Sequence, residues 1–300
     1  MSMQIGPDVA IPALETERSR GTRNWKRLAL LLPSALVVTL FLVAAIFADL
    51  LSPYDPLEIV LPDRLIPPAF SGGTWDHPLG TDQLGRDILA RTMHGARISL
   101  MVVVIAVPAA AAVGTLVGLL SGWRLGWTDK VLMRLVDMQL AFPALLFAVL
   151  VAAVWGPSLR NVILIITLWT WSGYARLVRA DVLSLREQEY VLAARSIGAP
   201  DRRVLARHVL PNLINVVVIL MTMEVATVIL FEAGLSFLNV GVEAGSSSWG
   251  IMISEGRNFM PIASWLIWIP GIAIVLISLT AMMMGDWVRD ALDPRLRNLR

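Results

Sequence analysis

The stretch REQEYVLAARSIGAPDRRVLARHVLPN, Arg186–Asn212, decides the fold. It is charged and helix-compatible, yet it lies between apolar runs long enough to cross a bilayer. Its residues predict one helix from about Asp181 to Gly198, because glycine suits a left-handed C-terminal cap. They predict a second helix with Pro200 in its first turn, where Asp201 is favoured by the helix dipole. We therefore expect a helix–turn–helix that stands outside the membrane.

The composition of the whole chain is that of an integral membrane protein. Of its 300 residues, 56% are hydrophobic and 16% are charged, and the mean hydropathy is +0.69. Soluble domains are about 45–50% apolar and about 25% charged. The net charge of +2 gives no general attraction to nucleic acid, and the lack of cysteine excludes disulfides and thiolate metal sites.

Six apolar runs are long enough, or nearly so, to span a bilayer. They are Leu28–Leu50, Ile98–Leu120, Leu132–Val154, Val162–Val178, Leu213–Phe231 and Trp265–Gly285. A signal peptide is the alternative for the first run, but that run is longer than an h-region and follows a polar leader of about 27 residues. We predict an all-α, polytopic membrane protein with six transmembrane helices.

The basic residues predict the orientation of these helices. Nineteen of the 25 Lys and Arg residues fall in the leader, the tail and the loops that six crossings place on the same side. Six fall on the other side. The positive-inside rule therefore places both termini, and the stretch Arg186–Asn212, in the cytoplasm.

Two groups of small residues suggest close contacts with other elements. Gly114, Gly118 and Gly122 in GTLVGLLSG form a stripe on which another membrane helix can pack. In the charged stretch, four small residues keep the turn narrow enough for a foreign surface to approach its backbone: Ala193, Ala194, Gly198 and Ala199. The alternative is an amphipathic loop that lies on the lipid headgroups, and the residues alone leave both open.

The segment AARSIGAPDRRVLARHVLP resembles the EAA loop of bacterial ABC-importer permeases. Gly198 and Pro211 have the thirteen-residue spacing of that loop, with the alanine pair ahead of them. The glutamate of the family pattern is replaced here by Leu192, and the isoleucine before L-P by His208. A salt bridge through the glutamate position is therefore not expected.

Further motifs resemble the C-type permease subunit of dipeptide/oligopeptide ABC importers, from about Leu28 to Arg297. They are LSPYDP (51–56), HPLGTDQLGRDILARTMHGARISL (77–100), MRLVDMQLAFPALL (133–146), EAGLSFLNVGV (232–242), SWGIMI (248–253) and GDWVRDALDPRLR (285–297). One departure is EAGSSSWG at 243–250, where relatives often carry a proline-rich QPPTPSWG.

The resemblance implies a type I ABC importer permease fold in a bacterial inner membrane, and an assembly with several partners. These are a second homologous permease subunit in a heterodimer, two cytoplasmic ATP-binding subunits and an extracytoplasmic substrate-binding protein, with a peptide as cargo. The chain itself should bind no cofactor, since it lacks the G-x-x-x-x-G-K-[ST] motif and ATP and Mg would belong to the ATPases. Membrane lipid is a further expected partner, and nucleic acid is not.

The predicted organisation has five parts. Residues 1–27 form a cytoplasmic leader, 28–50 the first transmembrane helix and 51–97 an extracytoplasmic segment. Residues 98–286 form a five-helix core with a cytoplasmic coupling loop at 181–210, and 287–300 form a cytoplasmic tail. By resemblance, the residues that contact an ATPase are Tyr190, Ala193, Ala194, Ser196, Gly198, Ala199, Pro200 and Arg203.

The candidate translocation residues are Glu224, Thr227, Glu232, Trp169 and Trp171. A carboxylate at membrane depth usually faces a cavity or a partner, so Glu224 either lines the pathway or forms a structural hydrogen bond. For Glu232, a gate and a packing role are both open, and for the two tryptophans core packing is favoured over the channel. Other cargoes, such as a nickel chelate or glutathione, remain alternatives, as does an ion-coupled transporter that uses Glu224.

Two local predictions complete the analysis. Arg134 and Asp137, three residues apart on one helix, should pair. The segment GTDQLGRDILARTMHGARI should form a helix along the outer surface with Thr81 or Asp82 as its N-cap, and contribute to docking of the binding protein.

Overall fold

The computed structural model describes residues 32–292, and within this range the regular elements are helices, apart from an isolated bridge between Thr81 and Asp87. The α-helices are α1 Leu32–Ile46, α2 Ala48–Leu51, α3 Ile88–Arg124, α4 Gly126–Leu140, α5 Ala144–Trp155, α6 Leu159–Leu185, α7 Glu189–Ser196, α8 Asp201–Val204, α9 Leu210–Phe237, α10 Trp249–Gly256 and α11 Trp265–Leu292. Short 3₁₀ turns lie at Leu61–Asp63, Ala69–Ser71 and Arg257–Phe259, and a π-helical turn lies at Leu205–Val209. The predicted leader lies outside the described residues.

The described parts of the six predicted apolar runs lie mostly in helices, but only some of these helices are long and apolar enough to cross a membrane. Residues 28–31 of the first run lie outside the described residues. By length and composition, three continuous helices can cross a membrane: α3, α11 and the unit Asp201–Phe237 that joins α8 to α9. The α4–α5 pair forms a fourth candidate, bent by 86°. The predicted span Leu132–Val154 is therefore interrupted, and it crosses a membrane only if the bent pair forms one span. Pro143 causes the break, because it lacks an N–H and disfavours helical geometry in the residue before it.

The second predicted span begins far earlier than expected. Helix α3 runs for 37 residues and includes most of the segment predicted to be a separate outer helix. Its N-cap is Asp87, whose side chain accepts a hydrogen bond from Ala90 N at 2.7 Å, so the assignment of Thr81 or Asp82 was wrong. Thr81 and Asp82 instead form a turn ahead of the helix, in which Asp82 N donates to Arg86 O.

The glycine stripe is confirmed as the contact between α3 and α6. A Cβ atom at Gly114 would lie 2.4 Å from Trp171 O, and one at Gly118 would lie 2.5 Å from Ala175 O. At Gly122 the nearest atom would be the Cβ of Val182, at 2.9 Å. The two helices pack backbone against backbone and provide a rigid frame that carries the polar segment after α6.

Candidate coupling elbow and translocation residues

The elbow, defined here as residues 186–211, begins where α6 ends. Val178 and Val182 are fully buried, which keeps α6 helical through Asp181 to Leu185. A turn at residues 186–188 then leads into α7, which begins at Glu189. The predicted start of the first elbow helix near Asp181 was therefore wrong, and the helix is shorter than expected.

The predicted cap at Gly198 is confirmed. Gly198 has φ +80°, and its N–H donates to Arg195 O at 3.0 Å. The next N–H, that of Ala199, donates to Ala194 O at 3.2 Å. These two bonds form a Schellman motif, which satisfies carbonyls at the end of α7 and reverses the chain.

The second half of the elbow follows at once. Pro200 has extended geometry and immediately precedes α8, whose first residue is Asp201, so the predicted start is correct to within one residue. The π-helical turn Leu205–Val209 then widens the helix just before Pro211. We attribute this turn to Pro211, because its ring clashes with the carbonyl four residues earlier in an ordinary α-helix.

The elbow buries one face against the helix bundle. Val191, Val204 and Val209 are fully buried. They pack in one cluster with Val178 and Val182 of α6, Trp123 of α3 and Leu213 of α9. Arg195 adds a cation–π contact, with its guanidinium 5.5 Å from the centre of the Trp123 ring. The elbow is therefore packed onto the ends of α3, α6 and α9 rather than being a free loop.

The opposite face of the elbow is open. Of the eight predicted coupling residues, six are exposed: Tyr190, Ala193, Ser196, Gly198, Pro200 and Arg203. Ala194 and Ala199 are half-buried beneath them. Nothing lies within 4 Å of a Cβ placed on Gly198, and the neighbouring Ile197 is 85% exposed. Most of the predicted residues are therefore accessible to a partner, and Ile197 is the most exposed apolar side chain of the elbow, ahead of Leu192 at 48%.

Ion pairs brace the helices next to the elbow. Asp129 of α4 accepts two hydrogen bonds from Arg179 of α6. Asp137 pairs with Arg176 at 2.7 Å, so the predicted pair between Arg134 and Asp137 was wrong. The partner of Asp137 comes from another helix, which spacing within α4 does not reveal.

The two candidate carboxylates in α9 have different surroundings. Glu232 is fully buried and accepts hydrogen bonds from Ser236 at 2.8 Å, Ser248 at 2.9 Å and Ser99 at 3.2 Å. This environment favours packing over a gate, since its acceptor oxygens hold α3, α9 and the start of α10 together.

Glu224 is half-buried and forms no hydrogen bond or ion pair with the part of the chain that the structure describes. One turn earlier on α9, Leu220 and Met221 pack against Tyr174 of α6. The Tyr174 hydroxyl is buried and has no hydrogen-bond partner among the described residues. Thr227, three residues after Glu224, is exposed. A carboxylate and a threonine hydroxyl therefore lie near one another on α9, open to a partner.

The two candidate tryptophans of α6 pack within the bundle. Trp169 is half-buried against Phe147 of α5, with 6.4 Å between the ring centres, and its carbonyl accepts a hydrogen bond from Gln139. Trp171 packs against the cluster formed by Ala110, Ala111 and Tyr174. These contacts favour the core-packing alternative for both residues.

Comparison with known proteins identifies the family. A family model described as the binding-protein-dependent transport system inner membrane component matches residues 114–298. The chain belongs to this family. It is therefore a permease component of a transport system rather than an enzyme, and transport systems of this kind include an ATPase and a substrate-binding protein.

Relatives of this permease cover nearly its whole length. It is 38% identical to the dipeptide transport system permease protein DppC of Alkalihalophilus pseudofirmus, over 92% of the chain and 89% of that relative. It is 41% identical to the glutathione transport system permease protein GsiD of Escherichia coli, with the same coverage. Among solved structures, the MetNI methionine ABC transporter in inward-facing conformations matches with a TM-score of 0.56 at 16% identity, over 68% of this permease and 96% of that chain. The predicted type I importer fold is confirmed.

One polar network of the permease was missed by the sequence analysis. Asp82 Oδ2 accepts hydrogen bonds from Arg86 Nε and Arg91 Nη1, both at 2.6 Å. Both arginines also reach Glu255 of α10, at 2.5 and 3.0 Å. The network joins the segment before α3 to α3 and α10. The charges in GTDQLGRDILAR were visible, but their burial and their partner 164 residues away were not.

Residues 32–292 of the permease contain no group of three or more His, Asp or Glu residues placed to hold a metal ion. The polar groups at the described sites are carboxylates, hydroxyls and guanidinium groups, which can form hydrogen bonds and ion pairs with a partner.

Proposed function

We propose that this permease is one half of the translocation pathway of an ATP-driven importer of peptides. The observation that carries the cargo assignment is the 38–41% identity, over 92% of the chain, to relatives named for dipeptide and glutathione transport. Both named cargoes are small peptides. A peptide therefore fits both relatives better than any cargo from another chemical class.

The proposed assembly contains a second homologous permease in a heterodimer, two cytoplasmic ATP-binding subunits and an extracytoplasmic binding protein. Both termini and the elbow lie in the cytoplasm. The distribution of basic residues supports this orientation, because arginines 176, 179, 186, 195, 202, 203 and 207 are concentrated in and around the elbow.

In this assembly the elbow seats on one ATPase and transmits its movement. Its open face offers Ala193, Gly198 and the exposed side chain of Ile197 to the partner surface. Its buried face is attached to α3, α6 and α9 through the valine cluster around Val191 and Val204. When ATP draws the two ATPases together, each elbow is displaced as a rigid body, and the bundle shifts between inward-facing and outward-facing states.

Glu224 supplies a negative charge along the proposed pathway. A peptide carries an ammonium group at its N-terminus, and a half-buried carboxylate without a partner attracts such a group more strongly than one in water. Thr227 adds a hydroxyl that can accept or donate a hydrogen bond on the same part of α9.

The experiment that tests the cargo is an uptake assay with the complete transporter in cells that lack their own peptide permeases. Labelled dipeptide, glutathione and a nickel chelate are compared, together with an N-acetylated dipeptide. We expect uptake of the free dipeptide, and a larger loss for Glu224→Gln with the free dipeptide than with the acetylated one. Uptake of the nickel chelate alone would assign the permease to that second cargo class.

A further inference from the structure

A cavity of about 390 Å³ lies between the C-terminal end of α3 and the second half of the elbow. Its floor is apolar and includes Leu119, Leu205 and Leu210. Three charged residues, Arg124, Asp201 and Arg202, also lie along it, although the lining itself is mostly apolar. The cavity thus combines a long apolar surface with an excess of positive charge.

Within residues 32–292 no side chain pairs with either arginine. Both side chains are exposed, and neither forms an ion pair or a side-chain hydrogen bond with residues 32–292. Arg179, nearby on α6, is by contrast fully engaged by Asp129. Arg124 and Arg202 come from different elements, α3 and α8, so a single anion between them would join the bundle to the elbow.

The position of the cavity matches the boundary of a membrane. Arg124 is the last residue of α3, one of the three helices long and apolar enough to span. Trp127, at the start of α4, is 81% exposed, and tryptophan is typical of the headgroup level. Leu120 and Leu210, each 37% exposed, continue the apolar floor toward the lipid-facing part of the helices.

We propose that this cavity binds an anionic phospholipid, with its phosphate between Arg124 and Arg202 and one acyl chain along the leucine floor. Basic pockets between membrane helices on the cytoplasmic side favour such headgroups. A guanidinium group can bind a phosphate through two parallel hydrogen bonds. The apolar floor selects an amphiphile over a soluble anion, because an inorganic phosphate would leave the leucine side chains uncovered. The assignment to the inner leaflet rests on the proposed orientation.

A lipid in this cavity would have a structural consequence for coupling. It would contact Arg124 at the end of α3 and Arg202 in α8, next to the valine cluster that attaches the elbow to the bundle. The lipid would then strengthen the same connection that transmits movement from the ATPase.

The test uses the complete transporter, purified with its partner subunits and examined by native mass spectrometry after exchange with phosphatidylglycerol or phosphatidylcholine. We expect the wild type to retain phosphatidylglycerol about thirtyfold more than phosphatidylcholine, which corresponds to about 1 kcal/mol for each of the two arginines. The double variant Arg124→Gln and Arg202→Gln should lose this preference.

Two further variants make the result decisive. The pair Arg134→Gln and Arg207→Gln removes the same charge from exposed residues outside the cavity, and it should keep the preference. Ala206→Trp places an indole in the cavity and should reduce retention of both lipids. The proposal would be overturned if the two arginine pairs lost the preference for phosphatidylglycerol equally. It would also be overturned if the Arg124 and Arg202 variant retained phosphatidylglycerol as well as the wild type does, or if the wild type showed no preference. Lipid retention is measured without transport, so a failed peptide-uptake assay would not be confused with it.

Discussion

The Arg179 guanidinium binds the Asp129 carboxylate through two hydrogen bonds, from Nε to Oδ1 at 2.6 Å and from Nη2 to Oδ2 at 2.7 Å. This bidentate pair joins α6 to the first turn of α4, and Ser121 of α3 donates a further hydrogen bond to Asp129. Three helices therefore meet at one carboxylate next to the elbow. The pair fixes the frame against which the elbow packs.

The Arg179–Asp129 pair leads to a first prediction. Arg179→Lys keeps the charge but loses the bidentate geometry, and we expect it to lower the free energy of unfolding by about 1 kcal/mol. Arg176→Lys is the matched control, because the Arg176–Asp137 pair is 55% and 58% exposed and should contribute almost nothing. Denaturant titration in detergent micelles measures both. Equal stability of Arg179→Lys and wild type would show that the second hydrogen bond is dispensable.

A second prediction concerns the close contact between α3 and α6. Gly118→Ala places a methyl group 2.5 Å from Ala175 O, so the helices must separate, at a cost of about 1–3 kcal/mol. Gly173→Ala on α6 is the control, since nothing lies within 4 Å of its Cβ and alanine favours a helix by about 1 kcal/mol. The same unfolding titration should show opposite signs for the two variants. Destabilisation by both would point to glycine flexibility rather than to packing.

The third prediction concerns Glu232. Glu232→Ala leaves the hydroxyls of Ser99, Ser236 and Ser248 without their acceptor, and we expect a loss of about 2–5 kcal/mol. Glu232→Gln retains one acceptor oxygen and should lose less than half as much. Thermal unfolding of the purified permease distinguishes them. If both variants folded as stably as wild type but failed in transport, a gate would replace packing as the role of Glu232.

Much of the architecture could be predicted because its signals are local. The C-terminal cap at Gly198 follows from a glycine placed between a helical pattern and a proline, and the structure confirms it with φ +80°. The contact along Gly114, Gly118 and Gly122 follows from four-residue spacing in an apolar run. Both features depend on residues within a few helical turns of one another, so the local sequence is enough to predict them.

The features that escaped prediction depend on distant partners. Asp137 has a basic neighbour three residues earlier, yet it pairs with Arg176 from another helix. The turn before α3 places Asp82 between two arginines and leaves the capping role to Asp87. The break between α4 and α5 follows from Pro143, but the residues near this proline do not give its angle of 86°. Spacing along the chain does not describe any of these relationships.

The central claim is that the elbow around Gly198 connects this permease to its ATPase. Gly198→Glu places a charged side chain on the exposed tip, and Gly72→Glu is the matched control, since Gly72 also has a positive φ, +95°, and open space at its Cβ. Gly72 follows the 3₁₀ turn Ala69–Ser71, in the segment between α2 and α3, so the backbone strain is similar but the location differs.

The deciding measurement is the amount of ATPase that co-purifies with each variant, with insertion checked by the amount of permease in the membrane. We expect both variants to insert, Gly72→Glu to retain its ATPase, and Gly198→Glu to lose at least nine-tenths of it together with peptide uptake. Normal ATPase association and normal uptake in Gly198→Glu would contradict the account.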